Sequence, residues 1–577
     1  MRAFCAITAH FCGAKGEFRT LLLGLPHQAG RHVGVNIAPT ISAIVQTFGL
    51  EQKLGWFVCD NASNNDTCIE ALGSEFEFNH FERRIRCVGH VINLVARSLL
   101  FGKEPEALEE KLTQSDDIRL WRKRGPLGKI HNIVTWIRAS PQRREQLRNY
   151  QVHHPLIDEG TGEEKPNTLE LIADNNTRWN SFFYMLRRAI QQKDSITDLI
   201  EEEHGKWDGV IAKNRRSGQP LDTSKKPSVL DDTLTSEDWQ MLNNYLEFLQ
   251  PLEEATMILQ GHGKGSSYGV IWQVIPVMEG LLKHFEQLKS QHVMTPPESQ
   301  FTVEHLYTQT QTQDSSNLNI PSTTLTRQSR RTRPSQQETQ LPPPPPPLLP
   351  TPIQEALPAV NDLFCAEINH GWMKLNKYYE LTDRSAAYVA ALVLHPAYTW
   401  SYLEGIWRFK PAWISSAKTR VSKLWKDYSD GPLPARFEHA EQTSNKRHKS
   451  SLFDLDDDVV GSLDDEYQQW CQRPRDRFAL ESPPLEFWTS YAIKKTFPRL
   501  QKMALDVFTI LAMSDESERV FSSTGLMVRP HRSRLSQKVI AMSQCLRNWS
   551  RQDLVTFQIF ETMKERLQHV EALHEDV

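Results

Sequence analysis

Cysteine is scarce and scattered: 8 among 577 residues, with no Cys-x-x-Cys pair. That excludes a zinc ribbon, and so few thiols in so long a chain build no disulfide scaffold, so they are read as reduced. Long apolar runs are missing too, since no stretch of about eighteen apolar residues is present to span a bilayer. Met1-Arg2-Ala3-Phe4-Cys5 lacks the layout of a secretory leader, and a soluble intracellular protein with no membrane partner is expected. Neither sign of charge prevails: 67 Lys and Arg stand against 71 Asp and Glu, a formal net charge of -4. Without a global basic field, any nucleic-acid surface has to be a local patch.

What is present is enough for real cores. The chain is 39% hydrophobic with 15 Trp and 25 Phe, and its length asks for two or three domains. A mean hydropathy of -0.51 and 33 Pro imply stretches that stay unpacked.

Residues 1–101 read as alternating strands and helices. Phe4–Ala9 and Phe18–Leu23 are short apolar runs around a turn near Gly13 to Gly16. Ile37, Ile41, Ile44, Val45 and Phe48 recur at helical spacing before a stop at Gly49, and Gly55–Cys59 reads as a buried strand ending at Asp60. This βαβ pattern points to a sheet covered by helices. Residues 102–289 are helical, as in Trp239, Leu242, Leu246 and Leu249 behind a start at Thr235. A Gln-, Thr-, Ser- and Pro-rich tract at 290–358, with the hexaproline Pro342–Pro347, is assigned as a disordered linker. Helices resume over 359–428, a charged flexible insert follows at 429–465, and 466–577 is helical again.

Three places carry candidate chemistry. Asp60 stands where a strand meets a loop, at the carboxyl edge where open α/β sheets put their sites, and magnesium-type ions take such carboxylates with substrate phosphate. Asp60 and Asn61 equally suit a helix start. Cys87 and His90, one helical turn apart, suit metal ligation or core packing, and packing is preferred because no second ligand pair is near. Asp174-Asn175-Asn176-Thr177-Arg178-Trp179 joins an acid, a guanidinium that can fork phosphate and an indole that can stack on a base, although Trp is more often core.

Four blocks, in order, resemble those of hAT family transposases. They are Asp60-Asn61-Ala62-Ser63-Asn64-Asn65, Arg86-Cys87-x-x-His90-x-x-Asn93-Leu94, Thr177-Arg178-Trp179-Asn180-Ser181, and a C-terminal set. That set runs Pro484-Leu485-x-Phe487-Trp488, Phe497-Pro498-x-Leu500, Ser517-Glu518-Arg519-Val520-Phe521-Ser522, Arg534-Leu535 and Cys545-Leu546-x-x-Trp549, and resembles the family's dimerisation region. The resemblance implies α/β plus α architecture: a ribonuclease-H-like fold interrupted by a large all-helical insertion, with 466–577 completing the domain begun in 1–101.

By the same resemblance, Asp60 and Glu518 are the second Asp and the Glu of a catalytic set of two Asp and one Glu that holds two Mg2+ or Mn2+ ions for phosphoryl transfer. Trp179 is implied to stack on a flipped base, beside Arg178. Arg519, Phe521, Leu535, Leu546 and Trp549 are implied at a subunit contact, and a homodimer or higher oligomer in the nucleus is expected. Arg529–Arg534, with Arg532 and Arg534, is either a weak DNA patch or a solvated loop.

The sequence as given begins just past the place of the family's first Asp, and shows no BED-type zinc finger. The expectation is therefore a transposase-derived DNA-binding, dimerising protein that is inactive for transposition. The alternatives are an active DNA transposase whose N-terminus is missing from the gene model, and a helical scaffold whose Pro-rich tract docks into aromatic-lined grooves. None of these readings involves a small-molecule substrate.

Overall fold

The structure, a computed structural model, describes residues 3–28, 34–102, 118–157, 160–174, 179–263, 266–267, 269–292, 360–430, 465–476, 483–528 and 535–554. Two compact units divide the chain: Met1–Glu286 with Glu367–Val577, and Gln287–Ala366. Of the second, only the helical residues 287–292 and 360–366 are described. The linker expected at 290–358 and the insert at 429–465 fall outside the described residues except at their ends.

In the first unit, β1 (Ile7–Cys12) and β2 (Phe18–Gly24) pair antiparallel, from Thr8 opposite Leu22 to Cys12 opposite Phe18. The turn lies where the Gly pair placed it. Gly13 N donates to Glu17 O at 2.7 Å, and Gly16 holds φ +83°, a conformation only glycine adopts without strain. Helix α1 (Gly34–Thr47) packs on α2 (Ser63–Glu75), and Gly34 permits the close approach: a Cβ there would lie 2.1 Å from the Asn64 carbonyl oxygen. Strand β3 (Phe57–Cys59) leads into α2, whose chain returns as β4 (Arg84–Arg86) parallel to β3.

The βαβ unit is thus real but sits one element later than the pattern suggested. The helix between β2 and β3 does not join paired strands, because β1–β2 and β3–β4 form separate two-stranded ladders among the described residues. The alternating stretch around residues 4–9 also begins pairing later than expected: Phe4 makes only an isolated bridge to His27, and the ladder proper starts at Ile7.

Helix α3 (Val88–Phe101) begins the helical majority of the unit. It is followed by α4 (Pro126–Arg138), α5 (Pro141–Gln151), α6 (Trp179–Gln191), α7 (Lys193–Ser217), α8 (Ser236–Leu259) and α9 (Val274–His292). The expected start of α8 is present as a full capping box. Thr235 Oγ1 accepts from Asp238 N at 3.1 Å and Asp238 Oδ2 accepts from Thr235 N at 3.0 Å. The first unit resumes within α10 (Val360–Glu380), followed by α11 (Ala386–Leu394) and α12 (Pro411–Ser429), then α13 (Pro498–Phe508), α14 (Asp515–Met527) and α15 (Gln537–Arg551).

These last helices return to the beginning of the chain: α13 and α14 pack on β1, and α15 packs on β2. Trp549 Nε1 donates to Leu22 O at 2.8 Å and Asn548 Oδ1 accepts from Leu22 N at 2.9 Å, so two side chains of α15 satisfy both backbone groups of one strand residue. One body is therefore built from two remote stretches of sequence.

Two histidines are held neutral inside this body. His395 is fully buried among Trp272, Tyr398 and Phe508, its Nδ1 accepting from Ala397 N at 3.1 Å, and burial pushes it down to about 3. Burial on β1 likewise pushes His10 down to about 4. The unfolded chain takes up these protons near pH 6.5 and the folded one does not, so stability present at pH 7 is lost as pH falls toward 4. Denaturant midpoints measured from pH 7 to pH 4 should drop steadily, with uptake of nearly two protons on unfolding around pH 5 from these sites.

Candidate functional site

Asp60 follows β3 and is exposed. Its Oδ1 accepts from Ala62 N at 2.9 Å and from Asn65 Nδ2 at 2.7 Å, a turn that launches α2. The helix-start reading of this stretch is therefore realised, and neither of these bonds falls on Oδ2. Behind the turn lies Arg84, only 7% exposed. Its guanidinium donates to the carbonyls of Cys59 (3.1 Å), Ile85 (2.6 Å) and Asp60, and to Asp66 Oδ1 at 3.1 Å. Arg86, two residues on and so on the same face of β4, donates to Asp66 Oδ2 at 3.2 Å and to Asn61 Oδ1 at 3.4 Å. Two cations thus hold the strand end, the Asp60 turn and the start of α2 as one piece.

Cys87 carries this piece to the far end of the sequence. Its N donates to Cys59 O at 2.9 Å, while its Sγ accepts from Ser514 N at 3.3 Å. Val88 N donates to Ala512 O at 2.9 Å, and Met513 lies against Gly89, so residues 512–514 are seated on the start of α3. Cys87 is buried and burial pushes its thiol up, in keeping with packing. Helix α14 starts one residue beyond Ser514 with Asp515, Glu516 and Glu518 in its first turn, acids that complement the positive end of the helix dipole. Arg519 pairs back with Asp515 and Glu516, both at 2.7 Å.

Asp60 and Glu518 consequently line one cleft of about 1820 Å³. Its wall includes His90, Asn93 and Arg97, a polar stripe on the otherwise apolar α3, and Lys15, Lys53, Arg83, Lys494 and Lys502. Trp179 also lines it, with its N donating to Asn93 Oδ1 at 3.4 Å. The indole is 5% exposed and packs against Phe183 at 6.0 Å, so in this conformation it is a wall residue. Arg178, Arg532 and Arg534 lie outside the described residues.

The expected subunit-contact residues separate into two groups. Trp549, 1% exposed, clusters with Leu22 and Cys545, and Leu546 packs on the same cluster. Within one chain they join α15 to β2, because the hairpin offers an apolar face and an open edge residue that the indole satisfies together. Arg519 and Phe521 (42% exposed) remain accessible, Phe521 on the cleft itself, and Leu535 is half-buried.

Carboxylates on the cleft wall, Asp60, Asp515, Glu516 and Glu518 among them, are hard oxygen donors of the kind Mg2+ or Mn2+ prefers, and His90 stands beside them. Among the described residues no group of three or more His, Cys, Asp and Glu side chains is gathered closely enough to hold a metal unaided. Asp60 and Glu518 are two of the carboxylates on the wall of this cleft. Arg84 and Arg97 were missed by sequence reasoning, and Arg86, His90 and Asn93 were named only within a family block, with core packing preferred for His90. The signal was there in two Arg spaced by two in a strand and in polar residues recurring at helical spacing from His90.

Comparison with known proteins agrees with this architecture. Residues 466–550 match the hAT family C-terminal dimerisation region, residues 1–83 the ZBED1 RNase-like domain and residues 85–214 the ZBED1 RNase-like helical domain. A Zea mays protein named as an AC transposase is 20% identical over 582 residues, covering 95% of this chain and 55% of that protein. A Talaromyces stipitatus protein named as the transcriptional regulator tpeD is 24% identical over 306 residues, 51% of this chain and 32% of that one. The human zinc finger BED domain-containing protein 4 is 22% identical over 246 residues, 43% of this chain and 15% of that one. The chain spans about half the length of the maize relative and less of the others. The chain is an hAT family transposase-like protein, with a dimerisation region, an RNase-like part and a helical part. No helix among the described residues is long and apolar enough to cross a membrane.

Proposed function

We propose that the protein is a self-associating, nuclear DNA-binding protein whose cleft takes the DNA phosphate backbone, with Asp60 and Glu518 as ligands of a divalent Mg2+ or Mn2+ ion. One observation carries the reading: two acids at opposite ends of the sequence line a single cleft, joined through Cys59, Cys87 and Ser514. A bound ion would supply charge neutralisation at phosphorus and an acidified water. The chain's own part is positional. Arg84 and Arg86 hold the Asp60 turn, and the docking of residues 512–514 on α3 sets the register of Glu518. The cations on the cleft wall would draw the polyanion in, and Trp179 would stack on an unpaired base by turning out of the wall.

The test is Mn2+-dependent binding and cleavage of labelled duplex by the full chain. Loss of outer-sphere partners already weakens metal sites by about 10–100-fold, so Asp60→Asn with Glu518→Gln should weaken Mn2+-dependent DNA binding by at least that much. Binding by the double variant with undiminished Mn2+ dependence would refute the assignment. Wild-type cleavage that the double variant loses would identify a working nuclease, and cation-dependent binding without cleavage a binding protein.

A further inference from the structure

Helix α7 does not behave as a core helix along its whole length. Its buried residues, Ser195, Ile196, Leu199 and Ile200, all lie in its first third, where it packs on α5 and α6. His204 Nε2 meets Thr233 Oγ1 at 2.8 Å, and beyond that, among the described residues, the hydrogen bonds of the helix are to its own residues and to Gly218 and Gln219 at its end. From Gly205 to Ser217 no residue is buried, with Trp207, Ile211 and Asn214 half-buried on one face and the others exposed, until Gly218, at φ +65°, ends the helix. It is a poor helix on its own account, with glycines at 205 and 209 and nothing within 4 Å of either to require them.

The exposed end carries Lys213, Arg215 and Arg216, none of which pairs with an acid among the described residues. Lys206, one face-repeat before Lys213, pairs with Glu202 and Glu203. Complementing the negative end of the helix dipole would use cations here too, but the dipole acts only on the last turn and does not ask for forked guanidiniums. In a chain of net charge -4 this is a local basic end whose three cations are all exposed.

We infer that the free end of α7, through Lys213, Arg215 and Arg216, is a second contact for duplex DNA phosphates, separate from the cleft. The choice of polyanion rests on the reading of the cleft as a DNA site. Charge complementarity and reach both favour a duplex. From Trp179 on the cleft, α6 and α7 lead to Ser217, and at 1.5 Å per residue they set an upper bound of roughly 57 Å. That is under two turns of a duplex of about 34 Å per turn, so one short fragment could touch both places.

The experiment is fluorescence anisotropy of the full chain with a duplex of about three turns, across a series of KCl concentrations. Lys213→Glu with Arg215→Glu and Arg216→Glu should weaken binding at least about tenfold and lower the slope of log affinity against log salt by about 2–3. Unchanged circular dichroism of this exposed variant would show that the fold persists. An unaltered slope and affinity would overturn the inference while leaving the cleft reading, which is judged separately by its Mn2+ dependence. Failure of the wild type to bind duplex at all would overturn it as well. Binding to phosphatidylserine vesicles in place of duplex, lost in the triple variant, would make this end a membrane contact and refute the DNA assignment.

Discussion

Arg84→Met is expected to lower the stability of the protein by about 3 kcal/mol or more, read as a shift of the denaturant midpoint at constant slope. The guanidinium is nearly enclosed and satisfies the carbonyls of Cys59, Asp60 and Ile85 together with Asp66. A methionine of similar length fills the space but takes a donor from each of the three carbonyls, of which Cys59 O keeps the Cys87 amide and Asp60 O the longer bond from Asn65 Nδ2, and this is the expensive direction of such a change. Asp66 loses less, being 45% exposed and still paired with Arg86 at 3.2 Å. Arg84→Lys should rescue little, because an ammonium cannot present the same fork to acceptors spread over two strands and a turn. A loss below about 1 kcal/mol for Met would mean that water reaches these carbonyls.

Trp549→Ala should be comparably severe, at about 3–5 kcal/mol, since it empties a fully enclosed indole site and removes the donor to Leu22 O. Two controls separate packing from association. Trp549→Phe keeps most of the volume and should lose mainly the hydrogen bond, about 1 kcal/mol. The elution volume of folded Trp549→Ala at low denaturant should match that of the wild type, because the side chain lies within one chain. A variant that dissociates while each chain stays as stable as before would place Trp549 at a subunit contact after all.

Much of the fold was legible from local signals whose physics is short-ranged. The turn at Gly13 to Gly16, the stop at Gly49, the strand ending at Asp60 and the capping box at Thr235 are each decided by a few neighbouring residues, and each stands where the spacing put it. The strand partners were not legible. Pairing is settled by which faces meet, and β3 chose β4 across α2, whereas the pattern had pointed to the strands before α1. The convergence of Asp60 and Glu518 on one cleft came from resemblance and could not have come from spacing, since it depends on Ser514 reaching Cys87 across 427 residues. Trp549 shows the opposite limit: apolar spacing on a helix says that a face will be buried, and nothing about whether a strand of the same chain or another subunit will bury it.

The dependence of β2 on α15 also has a temporal side. Leu22 and the Asn548 that accepts its amide are 526 residues apart. At ribosomal speeds of about 5–20 residues per second, the hairpin waits roughly half a minute to two minutes for its cover to be made. For that interval a newborn strand presents a bare rim with an apolar flank, the kind of edge that recruits stray strands from other chains. Synthesis of this polypeptide therefore passes through a long sticky stage, and its yield in cells should depend on holdase chaperones.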